Sequence, residues 1–162
     1  MKWVTWEQVA VDRMACAWLI RRFIDAEAEF LFVPAGSRPL PAGAEPFDIP
    51  GVRLSHHHGH CIPGVRLSHH HGHCTFHTML REYDLHDPVL QRIARIVDEA
   101  DVVQEVAVEP VAPGLDLLCR GLRAISPDDQ VALDRGALLY DALYAELARE
   151  VAGPTAQKGG EG

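Results

Sequence analysis

Apolar and polar positions alternate in short blocks at the start of the chain and settle into a helical period later. Lys2–Thr5 reads as a short first strand and Glu29–Pro34 (EFLFVP) as a second. Between them, apolar residues recur at helical spacing from Asp12 to Asp25, with Asp12 placed as the N-cap. Residues 35–46 are rich in Pro, Gly and Ala and read as a loop. Phe47–Ile49 and two Val-Arg-Leu-Ser stretches read as further short strands. From Thr75 the spacing predicts helices over 75–84, 88–105, 114–125 and 128–151. Asp87-Pro88 and Ser126-Pro127 act as start signals, because proline is tolerated in a first helical turn. The tail from Gly153 to Gly162 is expected to be disordered. Together these elements predict an α+β fold, mostly helical. It is a single domain with a few short N-terminal strands and a C-terminal helical bundle.

Composition supports that reading and narrows the function. At 162 residues and 48% apolar, the chain is long and hydrophobic enough for one cored domain. Its net charge of −8 argues against binding DNA phosphates or anionic lipid, so neither nucleic acid nor membrane is expected as a partner. The start, Met1 to Glu7, lacks the apolar core of a signal peptide, and no apolar run reaches the ~18 residues of a membrane span. Cys16, Cys61, Cys74 and Cys119 form no CxxC pair, so free thiols and a cytoplasmic location are expected. The sequence sets no oligomeric state.

One feature is exact. Residues 49–61 read IPGVRLSHHHGHC, and residues 62–74 repeat the same letters. The duplication is too short for a solenoid, and only one copy can lead directly into Thr75-Phe76-His77. The chain-adjacent copy, with His69, His70, His71, His73 and Cys74, is taken as the functional one. In an extended stretch His69 and His71 point to one face. His73 can join them once Gly72 bends the chain, and His77 lies on the first turn of the next helix. Neutral imidazole suits Zn, Fe, Ni or Cu. A solvated histidine loop with adventitious metal affinity is the plainer alternative.

Charged residues on apolar faces supply the other candidates. In the helix from Pro88, Leu90, Ile93, Ala94 and Val97 form an apolar stripe. Asp101 falls near its centre and Asp98 at its edge, three residues apart and on one face. A carboxylate facing a core must be paired, hydrogen-bonded, protonated or metal-bound. In the first helix, Cys16, Ile20, Phe23 and Ile24 form the apolar face, with Arg13 in its middle, Arg21 at its edge and Arg22 on the solvent side. Arg13 could pair with Asp98 or Asp101, and Arg13 and Arg21 are the candidates for holding an anionic ligand through the guanidinium fork. Tyr140, Tyr144, Cys16 and Cys119 read as core, and His86 as a turn residue. No GxSxG, P-loop, GxGxxG or HExxH motif is present, and nothing supports Ser-His-Asp catalysis.

The run Asp12-Arg13-Met14-Ala15-Cys16-Ala17-Trp18-Leu19-Ile20-Arg21-Arg22-Phe23-Ile24-Asp25 resembles the signature helix of the ChrB C-terminal domain, a family associated with chromate resistance. Phe47-Asp48-Ile49, the Leu-Ser-His run into Cys74-Thr75-Phe76, Ile96 to Asp101 and Ala142-Leu143-Tyr144 follow in family order, so the resemblance covers about residues 2–150. It implies one domain over 1–152. The family usually has a glutamate where this chain has His77, and often a histidine where it has Asp98. One imidazole and one carboxylate have changed places, which conserves the donors of a metal site but not a salt bridge. The resemblance therefore implies a metal-binding accessory or sensor domain of a chromate stress response. In it His69, His71, His73, His77, Asp98 and Asp101 would hold Zn, Fe or Mn, and Arg13 a carboxylate or an oxyanion such as chromate. Longer relatives carry an N-terminal portion linked to chromate-responsive regulation, so a DNA-binding role is not expected here. Two alternatives stay open. One is a metalloenzyme with an open coordination position and Asp12 or Glu99 as base. The other is a non-catalytic interaction module with an incidental histidine loop.

Overall fold

The computed structural model describes residues 1–49, 73–101 and 108–153. Strand β1 (Lys2–Trp6) leads into helix α1 (Val11–Leu19), which widens into a π-helical turn over Ile20–Ile24 and returns as β2 (Glu29–Val33). The two strands pair in parallel, Lys2 opposite Glu29 through Trp6 opposite Val33, so the N-terminus is a β-α-β unit. A third strand, β3 (Ala44–Pro46), adds to the other edge of β1, giving the order β2-β1-β3. Helices α2 (Thr75–Glu82), α3 (Pro88–Asp101), α4 (Ala112–Ala124) and α5 (Asp129–Ala152) complete the fold. The α+β, mostly helical reading holds. No helix among the described residues is long and apolar enough to cross a membrane.

Three local expectations change. The third strand lies in the stretch read as loop, not at Phe47–Ile49. An edge strand this short needs backbone pairing and little side-chain burial, so Pro and Ala serve, with Pro46 at its end. Asp12 does not cap its own helix, whose N-cap is Ala10. Asp129, read only as helix interior, accepts from the Gln8 and Val9 amides at 2.9 Å each. It thereby ties the loop before α1 to the start of α5. The Val-Arg-Leu-Ser stretches, residues 102–105 and the tail beyond Gly153 lie outside the described residues.

Helix α1 sits at the centre. Every residue from Val11 to Leu19 except Arg13 is buried, because α1 packs against α2, α3, α4 and α5 as well as bridging the sheet. A one-faced amphipathic reading fails for a helix surrounded on all sides. Gly136 lets α5 approach closely, since a Cβ there would meet Met14 Sδ at 3.1 Å. Tyr140 is fully buried and donates to the Val11 carbonyl at 2.8 Å. Tyr144 is half-buried and donates to Asp87 at 2.6 Å. Trp18 stacks between Phe76 and Tyr140, which joins α1, α2 and α5 through aromatic contacts. Cys16 and Cys119 are buried as expected.

Candidate functional site

The N-terminus of α2 is the focus of the chain's polar chemistry. Cys74 is its N-cap and supplies no side-chain cap, so the first amides of the helix need partners from elsewhere. Two carboxylates from other helices provide them. Asp12, fully buried in α1, accepts from the Thr75 amide at 2.8 Å and the Phe76 amide at 3.1 Å. Asp98, on α3, accepts from the Cys74 amide through Oδ1 at 2.5 Å. Both acids sit where the positive end of the helix dipole favours negative charge.

The same Asp98 turns its other oxygen toward two histidines. Oδ2 lies 3.3 Å from His73 Nδ1 and 3.8 Å from His77 Nδ1. The two rings stack with centroids 4.2 Å apart. One ligand atom from each of the three residues lies within 4.8 Å of the others. Donors held ~2.1 Å from a tetrahedral ion stand about 3.4 Å apart, so the spacing is close to that of a shared ion. His77 Nδ1 is buried and has no hydrogen-bond partner among the described residues, which is costly for a nitrogen that must donate or accept. Burial first, then the neighbouring His73 and Arg81, lowers the His77 pKa against the opposing pull of Asp98. A neutral ring with an unclaimed lone pair is the form that binds a metal. The hydrogen bond from Cys74 fixes the Asp98 carboxylate, as outer partners do in metal sites.

Asp12 lies on the inner side of the same helix end. Burial above all, with the charges of Asp48 and Asp101, pushes its pKa up to about 7, while the Thr75 and Phe76 amides pull it down. The Cys16 thiol lies 3.3 Å from Asp12 Oδ1, and burial with that nearby charge raises the thiol well above its ordinary range. Cys74 is raised for the same reason, by burial and then by Asp12 and Asp98, so it stays a thiol.

Asp48 carries a role the sequence reading did not give it. It forms the ion pair with Arg13, Nε to Oδ2 at 3.0 Å, in place of Asp98 or Asp101. Arg13 Nε nevertheless makes no directed hydrogen bond, so the contact is ionic, and the Nη contacts to Gln8 and Asp48 carbonyls are long at 3.5 Å. The Thr75 hydroxyl donates to Asp48 at 2.8 Å, linking this pair to the start of α2. The sequence offered only an aspartate between Phe47 and Ile49; in the fold it holds a left-handed backbone, φ +48°, which Asp adopts more readily than most residues.

Other candidates fall elsewhere. Asp101 is exposed, not core-facing, and is not one of the three clustered donors; its charge reaches Asp12 instead. The buried residues of α3 are Val89, Leu90, Ile93, Ala94, Ile96 and Val97, and Asp101 lies one turn beyond them. Arg21 pairs with Asp134 at 2.7 Å and lies over the Phe30 ring. Arg22 is not simply solvated, since it pairs with Asp141 at 2.6 Å and lies over Tyr144. Glu99 accepts from the Val108 and Glu109 amides at 2.9 Å each, a structural task before α4. His86 sits in the turn before α3, 2.7 Å from Asp84. His69 and His71 lie outside the described residues.

The family model of the ChrB C-terminal domain matches residues 3–62 and 62–147, two matches that meet where the second copy of the repeat starts. This chain belongs to the ChrB C-terminal domain family. Protein ChrB of Cupriavidus metallidurans is 33% identical over 148 residues, covering 91% of this chain and 41% of that relative. The chain thus spans less than half the length of the curated relative it matches. No solved structure matches. The site at the start of α2 therefore lies wholly within the portion shared with the ChrB family.

Proposed function

We propose that this ChrB-family domain is a metal-binding accessory or sensor module of chromate or metal resistance. His73, His77 and Asp98 would hold a transition ion, with His69 or His71 as further donors. Two imidazoles and one carboxylate suit Zn, Fe or Mn. The observation that carries the reading is the buried, unpartnered His77 Nδ1 beside a carboxylate that another bond already orients. Arg13 would meet an oxyanion or carboxylate, because among the described residues its Nη atoms make only long contacts while Nε faces Asp48. Asp48 beside it tempers that attraction.

A metalloenzyme is the second reading. It is favoured by a three-donor cluster with His73 open to solvent, the pattern of catalytic rather than closed structural sites. Both base candidates count against it, since Asp12 is sealed in the core and Glu99 is held by two amides.

Elemental analysis of chelator-washed protein tests the site. About one metal per chain is expected in wild type. It should be lost in His77→Ala and in Asp98→Ala and kept in Asp101→Ala. Metal that survives both losses but vanishes when the His-His-His-Gly-His runs are deleted would sink the proposal in favour of an adventitious loop.

A further inference from the structure

Trp18, Phe23 and Tyr144 form an aromatic corner where the π-helical turn after α1 meets α5. Their ring centroids stand 5.6, 5.8 and 5.7 Å apart, and their planes are inclined to one another by 73°, 52° and 53°. Trp18 is buried and lies deepest, while Phe23 and Tyr144 are half-buried and reach the surface. A positioned carboxylate stands beside the rings. Asp141 lies one turn before Tyr144, and the Trp18 indole donates to its Oδ1 at 2.9 Å. Aromatic faces carry negative charge density, so three of them with one carboxylate make a receptor for an organic cation.

The chain's own cation fills this corner. Arg22 donates to the same Asp141 oxygen at 2.6 Å, and its Cζ lies 5.1 Å from the Tyr144 centroid, 5.7 Å from Phe23 and 5.9 Å from Trp18. The fit is partial. A guanidinium is flat, and with rings inclined by at least 52° it can lie against one of them but not all three. Nor is Arg22 firmly held. Its side chain and that of Asp141 are 45% and 44% exposed, and solvent-open ion pairs exchange readily. Arg22 also rises from the π-helical turn, closed by the Asp25 amide on the Ile20 carbonyl at 2.7 Å. Such turns are rare and recur at functional sites.

We propose that this corner is a binding site for a methylated ammonium group, with Arg22 as a built-in occupant that the ligand displaces. A roughly spherical cation touches three inclined faces at once, where a planar one stacks on a single face. Methyl groups also suit the site better than N–H groups. A bare ammonium is strongly hydrated and would exchange its water for one carboxylate that Trp18 already engages. None of these residues belongs to the His73, His77 and Asp98 cluster, so the site is independent of the metal reading.

Titration of the isotope-labelled full chain with tetramethylammonium chloride, ionic strength held with sodium chloride, tests the site through the Trp18 indole N–H resonance. That resonance should shift saturably in wild type. Arg22→Gln removes the occupant and should bind about tenfold more tightly. Tyr144→Leu and Phe23→Leu each remove one face and should weaken binding at least about fivefold. Phe23→Leu leaves the Tyr144–Asp87 hydrogen bond in place, so a folding defect in the Tyr144 variant does not remove the test. Ammonium chloride should leave the resonance unmoved. A Trp18 resonance that ignores tetramethylammonium even in Arg22→Gln overturns the site. Equal affinity in wild type and Arg22→Gln overturns the role of Arg22 as occupant. Guanidinium binding as tightly as tetramethylammonium overturns the class of ligand.

Discussion

Asp12 and Asp98 grip the same helix end from opposite sides, yet their surroundings give them different chemistry. Asp12 spends both oxygens on the Thr75 and Phe76 amides inside the core, where no solvent offsets its charge. Asp98 spends one oxygen on the Cys74 amide and keeps the other facing two imidazoles near the surface. Identical side chains thus become an internal clasp and a prospective ligand, and burial decides which. The lesson is that an acidic residue's role follows from how many of its lone pairs the backbone has already taken.

The largest effect that separates the two belongs to Asp12 and pH. Its folded pKa of about 7 lies above the unfolded value, so the folded state binds the extra proton between those limits. Its contribution is therefore fully present below about pH 4 and falls as pH rises to about 7, by up to roughly 4 kcal/mol. The difference in denaturant stability between wild type and Asp12→Asn across that range should show the slope, and a flat difference would erase the contrast. Next comes metal. Zinc at about one hundred times its Kd should stabilise the fold by about 2.7 kcal/mol. A thermal shift of that order should persist in Asp12→Asn and disappear in Asp98→Ala. Without metal, Asp98→Ala should cost only about 1 kcal/mol, the loss of one helix-end partner, read by urea unfolding at neutral pH. The smallest effect is at Asp101, whose charge helps raise Asp12. Asp101→Asn should move the Asp12-linked slope to lower pH, with a change in stability under about 1 kcal/mol because the residue is exposed.

The sequence reading reached α1 as a helix, the start of α2 at Thr75 and the start of α3 at Pro88 because each has a local signature. His77 and Asp98 came together through a family-level exchange of donor types, and the geometry places them 3.8 Å apart. What local pattern could not show was the long-range use of Asp12, whose partners lie 63 and 64 residues away. A good N-cap residue looks the same whether it caps its own helix or another. Asp101 illustrates a different limit. Helical phase gives the direction of a side chain, but not whether anything packs there, and Asp101 is exposed.

The double grip on α2 also bears on how this chain tolerates an exact thirteen-residue duplication ending at Cys74. Thr75, Phe76 and Cys74 are fastened to α1 and α3 by their own amides, so the helix takes its bearings from those anchors and not from the length of chain that precedes it. The junction works as a mooring: the bearing of His77 is set by α1 and α3 and does not depend on the count of residues before Cys74.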